Sequence, residues 1–165
     1  MELSASDVVL DQLRIGDAGW LIMRHAEGYA GDDGFDDTFE PLVARILADF
    51  LSGHDPARAR GWIARVGGRR LGSIFCVEGP APDTAKLRLF YLEPEARGLG
   101  LGRRMLEECL GFARAAGYRR MTLWTHESHR AACALYAKAG FSCVRSRPVR
   151  SFGVDLVEQE WTRDL

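Results

Sequence analysis

Three glycines on alternate positions, Gly98, Gly100 and Gly102, follow Arg97 and stand where an amphipathic helix begins. The start of a helix leaves about four backbone N–H groups without partners, and the helix dipole adds roughly half a positive charge there. Glycine lets a ligand approach the backbone closely because it has no Cβ atom. With Arg103 directly after the last glycine, the segment predicts a cradle for a phosphate or pyrophosphate group. A tight strand-to-helix turn without a ligand is the alternative interpretation.

Better-known phosphate-binding motifs do not match this segment. The sequence contains no Gly-Lys pair, which excludes the phosphate loop of nucleotide triphosphatases. The dinucleotide fingerprint G-x-G-x-x-G would need a glycine where Arg103 or Met105 stands. The motif that remains is R-x-x-G-x-G, from Arg97 to Gly102.

A second polar run, His126-Glu127-Ser128-His129, invites comparison with a zinc site. The corresponding zinc-protease motif is H-E-x-x-H, and Arg130 occupies the position of its last histidine. We therefore predict that no metal is bound.

A strand must lead into the glycine loop and a helix must follow it. The apolar run from Lys86 to Leu92 predicts the strand, and the helix should end at Gly117. Before this strand, the sequence predicts a strand over 7–14, a helix from 17 up to a Gly- and Asp-rich loop at 28–37, a helix over 38–51 and a hairpin that turns at Gly67-Gly68. After the helix that ends at Gly117, it predicts a strand over 119–125, a helix capped by Ser128 and two closing strands. Pro148 places the first closing strand at an edge of the sheet.

Composition and charge predict one globular domain over residues 1–165. Hydrophobic residues make up 47% of the chain, and the net charge of −1 gives no general attraction to nucleic acid or to acidic membranes. The start of the chain lacks the features of a signal peptide, and no stretch approaches about 18 apolar residues, so we expect a cytoplasmic protein without a membrane span. The four cysteines, none in C-x-x-C spacing, are predicted core residues: Cys76, Cys109, Cys133 and Cys143.

The helix after Ser128 carries a second motif, A-x-x-L-Y-x-K-x-G-F, from Ala132 to Phe141. With both motifs in this order, the chain resembles the GNAT superfamily of acyl-CoA-dependent N-acetyltransferases. It resembles most closely the acetyltransferase half of regulators that fuse a MarR-type DNA-binding domain to a GNAT domain. The resemblance implies an α/β fold, with a mixed, mostly antiparallel twisted sheet of about seven strands and helices on both faces.

The resemblance also implies acetyl-CoA as cosubstrate and assigns residues to it. Backbone amides of the glycine loop would hold the pyrophosphate, Leu92 would pair with the pantetheine chain, and His129 stands where many relatives have asparagine. An alternative for His129 is a solvent-facing helix residue. The predicted cofactor-binding residues are Leu92, Arg97, Gly98, Leu99, Gly100, Leu101, Gly102, Arg103 and His129.

Two residues are predicted to be catalytic. Tyr136 falls on the tyrosine commonly proposed to protonate the leaving thiolate, and the alternative is a core aromatic residue. Several relatives place a glutamate base where this chain has Lys86, so the base must be another group or water. The candidates are Glu27, Glu93 and Glu127, and Glu27 is the one predicted to be catalytic.

The predicted activity is transfer of an acetyl group from acetyl-CoA to a primary amine of a small molecule or peptide by direct attack. A non-catalytic CoA-sensing regulatory module is the alternative. We expect no nucleic-acid partner, because the arginine-rich run from Arg145 to Arg150 is short, and the resemblance leaves a homodimer open.

The segment from Arg24 to Glu40 carries six carboxylates and predicts an acidic lip over the acceptor, with a solvated loop as the alternative. Arg88, on the strand before the glycine loop, would complement the lip by holding an acceptor carboxylate, which favours a small amino-acid-like or polyamine-like acceptor over a protein tail.

Overall fold

The computed structural model of the protein describes residues 2–165, and its centre is a seven-stranded sheet. The strands are β1 (Val9–Asp11), β2 (Arg60–Val66), β3 (Arg69–Glu78), β4 (Thr84–Leu92), β5 (Arg120–His126), β6 (Ser142–Ser151) and β7 (Val154–Asp164). They lie in the order β1-β2-β3-β4-β5-β7-β6, and the β4–β5 pairing is parallel while the others are antiparallel. The predicted mixed, mostly antiparallel sheet is confirmed.

Four helices cover the two faces of the sheet: α1 (Asp17–Asp33), α2 (Phe39–Leu51), α3 (Leu101–Ala115) and α4 (Arg130–Lys138). The alternation of side chains along β2 explains the two layers. Ile63 packs in the cluster that holds Leu21 of α1 and Leu47 of α2. Its neighbour Trp62 packs in the larger cluster on the other face, which includes Met105 of α3. Each face of the sheet therefore has its own apolar core.

Helix α1 is longer than the sequence predicts. The glycines at 28 and 31 were expected to end it, but the helix continues to Asp33 and ends where Gly34 adopts a φ of 73°. A glycine inside a helix costs only about 1 kcal/mol, which packing can offset. At Gly28 the packing is close, since a Cβ atom there would lie 3.4 Å from the Tyr91 ring.

Three smaller expectations differ from the structure and one agrees. Strand β1 covers only three residues, and His129 rather than Ser128 is the N-cap residue of α4, without a side-chain capping bond. Cys143 is exposed, because β6 is an edge strand whose side chains mostly face solvent. The same edge position accommodates Pro148, as predicted, since proline cannot donate to a neighbouring strand.

A bulge interrupts the strand that leads into the glycine loop. The β3–β4 register shifts between Ser73 and Phe75, and Leu89, opposite this point, has a positive φ of 48°. The Ser73 hydroxyl donates to the Leu89 carbonyl oxygen at 2.6 Å and holds the distortion in place. Bulges of this kind bend a strand, and the pairing of β3 with β4 resumes beyond this one, up to Gly72 opposite Leu92.

Candidate active site

Strands β4 and β5 separate part-way along the sheet and leave a cleft between them. They pair only over Thr84 to Lys86, the last pair being Lys86 with Thr122. Two cavities of about 650 and 360 Å³ occupy the cleft. Four residues contribute to the walls of both, namely Tyr29, Phe90, His129 and Ala132. The two cavities therefore meet where the strands diverge.

The glycine loop forms one end of the larger cavity. Gly98 and Gly100 both have a φ of 77°, and a Cβ atom on either would have no heavy atom within 4 Å. Glycine is therefore required by the backbone conformation, while the space beside the loop is open to a ligand. Helix α3 begins directly after Gly100, and no side chain caps its start. Backbone N–H groups in such a concave turn form an anion-binding nest.

Arginine side chains surround this anion site. Arg97 and Arg103 line the larger cavity, as does Arg130 at the start of α4, which the sequence analysis missed. Arg97 is also 3.9 Å from Asp32, and Arg103 is 3.0 Å from Glu107, so neither is free of acidic neighbours.

The remaining predicted cofactor residues divide into two groups. Leu92, Gly102 and His129 line the larger cavity. The side chains of Leu99 and Leu101 do not: Leu99 is exposed, and Leu101 is buried in the core. Those two residues have only their backbone amides to offer. The Leu92 carbonyl oxygen accepts a hydrogen bond from Arg97 Nε at 3.1 Å.

The larger cavity suits an acyl-CoA in its chemistry. Its candidate anion-binding end is built from backbone N–H groups and arginines, whereas Phe90, Leu92 and Leu135 add an apolar part to its wall. A pyrophosphate needs the first environment, and a pantetheine chain is compatible with the second.

The smaller cavity combines an aromatic wall with titratable groups. Phe35, Phe39 and Phe152 pack on one another with ring centroids 4.9–5.1 Å apart. Lys86 and Arg88 line the same space, and Glu158 is the one acidic side chain among the described residues of its wall. Sequence reasoning found Lys86 and Arg88 but missed the phenylalanines, which are far apart in the chain.

Two histidines of the smaller cavity carry ring nitrogens without partners. His25 Nδ1 lies 2.8 Å from the Leu21 carbonyl oxygen and must donate to it, so Nε2 is left unprotonated and buried. Burial lowers the pKa of His25 to about 4. His126 Nδ1 is also buried without a partner, and burial, with a smaller effect of His129, lowers the pKa of His126.

Two tyrosine side chains approach the point where the cavities meet. Tyr136 is buried, lines the smaller cavity and packs against Phe90, with ring centroids 6.3 Å apart. Burial raises the pKa of Tyr136, so its phenol remains protonated. Tyr29, which lines both cavities, was not singled out by the sequence, and burial raises its pKa to about 12.

The candidate glutamate bases lie outside the two cavities. Glu27 is exposed on α1 and pairs with Arg24 at 3.2 Å. Glu93 is buried and accepts two hydrogen bonds from Arg24, at 2.6 and 2.9 Å. Glu127 lies exposed in the turn between β5 and α4. The structure thus does not bring Glu27 together with Tyr136.

The six acidic residues of the predicted lip do not form a single surface over the acceptor. Asp32 and Asp33 end helix α1 and line the larger cavity rather than the smaller one. Asp36 accepts a hydrogen bond from the Thr38 backbone N–H at 3.0 Å just before α2. The other three carboxylates, of Glu27, Asp37 and Glu40, line neither cavity. The extension of α1 through its glycines is the reason for this dispersal.

A family comparison agrees with the site. The acetyltransferase (GNAT) family matches residues 22–141. This range includes the glycine loop, Tyr136 and the four residues that line both cavities. The chain belongs to the GNAT acetyltransferase family. Its members are acyltransferases, and the chain is an enzyme of this class.

Individual GNAT proteins are similar to the chain over different shares of their length. An uncharacterized N-acetyltransferase of Schizosaccharomyces pombe is 30% identical over 68% of this chain and 69% of its own. Mycothiol acetyltransferase of Geodermatophilus obscurus is 33% identical over 49% of this chain, but this match spans only 28% of that enzyme. A proposed acetyltransferase of Salmonella typhimurium, solved with its cofactor acetyl-CoA, superposes with a TM-score of 0.74 at 16% identity and covers 96% of this chain and 94% of its own.

The described residues contain neither a metal-binding cluster nor a membrane-spanning helix. Residues 2–165 contain no group of three or more His, Cys, Asp or Glu side chains arranged to hold a metal ion. Within the same range, each helix is too short or too polar to cross a lipid bilayer.

Proposed function

We propose that this GNAT enzyme transfers an acetyl group from acetyl-CoA to the primary amine of a small molecule or peptide. The observation that carries the proposal is the meeting of two chemically different cavities where β4 leaves β5. One has an anion-binding end and an apolar wall, and the other has polar and aromatic walls. A thioester carbonyl at the meeting point would be open to an amine from the second cavity. One catalytic domain over residues 1–165 is part of the proposal.

The glycine loop and α3 would hold the cosubstrate. Backbone amides from Gly98 to Arg103 bind the pyrophosphate, and Arg97, Arg103 and Arg130 balance its charge. The side of β4 that β5 leaves free after Lys86 offers its backbone groups, including those near Leu92, to the amides of the pantetheine chain. Leu99 and Leu101 contribute through their backbone alone.

Tyr136 is the proposed proton donor to the departing thiolate. The amine nitrogen attacks the thioester carbonyl carbon, the carbon–sulfur bond breaks, and the sulfur takes the electron pair together with the phenolic proton. The proton that the attacking nitrogen then releases as the amide forms returns to the Tyr136 phenolate. A thiolate whose acid has a pKa of about 8.5 can accept from a phenol when the transfer is concerted. The buried position of Tyr136 keeps the phenol protonated until that moment.

The attacking amine must first lose its own proton, because an ordinary ammonium group has a pKa of about 10.4. Glu27 stays a prediction for this role, but from its exposed position it would have to act through water. We propose His126 as the alternative proton acceptor, since its neutral ring lines the acceptor cavity with an unpartnered nitrogen. No enzyme-bound acyl intermediate is needed in either case.

The test is release of CoA thiol from acetyl-CoA over a panel of amines, with calorimetry of CoA binding in parallel. Amine-dependent thiol release supports acetyl transfer. Tight CoA binding with no turnover on any amine would favour the CoA-sensing module instead. That alternative rests on the resemblance to MarR/GNAT fusion regulators, which is still a prediction. Cytoplasmic location and a homodimer also remain predictions.

A further inference from the structure

Two positive side chains face the acceptor cavity without an ionic partner. Lys86 and Arg88 are two residues apart on β4, so both side chains lie on the same face of the strand, and both line the smaller cavity. Both are half-buried, and neither forms an ion pair with any side chain of residues 2–165. Burial lowers the pKa of both groups, and in Lys86 the neighbouring Arg88 lowers it further.

The acidic groups near this pair do not neutralise it. Glu158, the carboxylate in the cavity wall, lies 3.8 Å from Arg147 of the adjacent strand and is shared with that side chain. The charges of Asp49 and Glu160 raise the pKa values of Arg88 and Lys86, respectively, without forming an ion pair. In both cases this effect is smaller than the lowering caused by burial. Half-buried cations without partners are costly unless an anion joins them.

Another part of the cavity wall is apolar and is held in place by the turn between β6 and β7. Phe152 and Gly153 form this turn with φ values of 54° and 76°. A positive φ is unfavourable for phenylalanine, and glycine or asparagine is the usual residue in such a turn. The Phe152 carbonyl oxygen accepts the Asp36 backbone N–H at 2.9 Å, which fixes the ring against Phe35 and Phe39.

We propose that the acceptor is a free amino acid with an apolar side chain, whose carboxylate binds to Lys86 and Arg88 and whose side chain packs on Phe35, Phe39 and Phe152. This inference rests on the proposed acetyl transfer and names its substrate class. The cavity of about 360 Å³ is at the small end of ligand sites, which suits one amino acid and not a folded protein segment. Polyamines would be repelled by the cationic pair.

Matched acceptors test the carboxylate part of the proposal. L-Phenylalanine, its amide and phenethylamine share the ring and the amine and differ in the carboxylate. The wild type should acetylate L-phenylalanine with a kcat/KM at least tenfold above the other two. In Arg88→Gln and Lys86→Gln this preference should fall at least tenfold, while Arg45→Gln, the same charge change on an exposed residue of α2, should keep it. Equal rates on the three acceptors in the wild type would overturn the proposal.

A second variant tests the apolar wall while protecting the fold. Phe152→Asn creates Asn-Gly, the pair preferred in this type of turn, so the hairpin should remain stable. The ratio of kcat/KM for L-phenylalanine over L-alanine should fall at least tenfold in the variant. An unchanged ratio would remove Phe152 from the acceptor site.

Calorimetry with CoA present separates this inference from the proposed function. Carboxylate-dependent binding of L-phenylalanine without acetylation would support the amino-acid site and overturn acetyl transfer. Acetylation of amines without any preference for a carboxylate would support acetyl transfer and overturn the amino-acid site. Absence of both binding and acetylation would overturn both.

Discussion

His129 Nε2 lies 3.3 Å from Asp33 Oδ2, and this contact joins the N-cap of α4 to the last residue of α1 in the wall of the larger cavity. The same imidazole lines both cavities, so it contacts the proposed cosubstrate side and the proposed acceptor side together. The structure therefore does not support the alternative in which His129 is a solvent-facing helix residue.

Removing the His129 ring should weaken acetyl-CoA binding. We expect His129→Ala to raise the KM for acetyl-CoA by about three- to tenfold, because a factor of this size corresponds to the net free energy of roughly one hydrogen bond. His129→Asn, which restores the side chain found in many relatives, should recover most of the loss. Steady-state kinetics measure both variants, and Lys138→Ala on the same helix serves as control. If His129→Ala and the control behave alike, His129 does not contact the cosubstrate.

The glycine loop should be sensitive to negative charge. Gly100→Glu places a carboxylate at the anion site, and we expect CoA affinity to fall more than tenfold, about 1.4 kcal/mol. Gly100→Gln is the matched control, because it imposes the same strain at a φ of 77° without the charge. Calorimetry with CoA should show a clear difference between the two variants. Equal affinities would mean that the loop only shapes the turn.

Loss of the Tyr136 hydroxyl should affect the chemical step and not cosubstrate binding. We expect Tyr136→Phe to lower kcat by about 10²–10⁴-fold with little change in the dissociation constant of CoA. Tyr29→Phe provides the comparison, since Tyr29 is the other phenol where the cavities meet. An unchanged kcat in Tyr136→Phe, or an equal loss in both variants, would argue against a specific proton donor at Tyr136.

The pH profile should identify the proton acceptor. His126 acts as a base only when neutral, and burial lowers its pKa, so kcat/KM should fall with pH only below the ordinary histidine range. Groups facing the ring are His129, which lowers its pKa, and Asp33 and Glu158, which raise it. In His126→Gln this acidic limb should disappear together with most of the activity. Retention of the limb in His126→Gln and its loss in Glu27→Gln would assign the role to Glu27.

A buried carboxylate outside the cleft should control stability in acid. Asp17 is fully buried and accepts hydrogen bonds from Arg65, Arg70 and the Arg14 backbone N–H. Burial alone would raise the pKa of Asp17, but these bonds together lower it. The resulting stability is therefore present above the ordinary aspartate pKa of about 4 and is lost as pH falls through the lower pKa of the folded state.

Asp17→Asn should unfold more easily at neutral pH, by about 3–5 kcal/mol, because the buried Arg65 would lose its hydrogen-bonded countercharge and keep only the more distant Asp11, at 3.7 Å. Its stability should also depend less on pH in the acid range. Asp37→Asn, at an exposed carboxylate, is the control. Denaturant unfolding from pH 2 to 7 measures both, and parallel pH curves for wild type and Asp17→Asn would contradict the assignment.

The amino-acid sequence by itself predicted the elements whose signals are local. These elements are the R-x-x-G-x-G motif before a helix, the Gly67-Gly68 hairpin and the edge position of Pro148. Each depends on a few adjacent residues, because a positive φ, a missing Cβ atom or a missing backbone N–H affects only the neighbouring residues. The two motifs in order also identified the family. The glycines of α1 misled the prediction, since the packing of Gly28 against Tyr91 comes from residues far along the chain.

The tertiary structure alone decided which groups share a cavity. The separation of β4 from β5 begins after Lys86, and the bulge at Leu89, which a hydroxyl from β3 holds in place, lies in the separated part of β4. That separation brings Tyr136 and His126 beside Lys86 and Arg88 and leaves Glu27 outside. A hydrogen bond from the Asp36 backbone N–H to the Phe152 carbonyl oxygen holds Phe152 against Phe35 and Phe39, although these residues are far apart in the chain. Long-range contacts of this kind leave no periodic signal in the sequence, so the aromatic wall of the smaller cavity was found only in the fold, whereas the role of Arg88 was already predicted from the sequence.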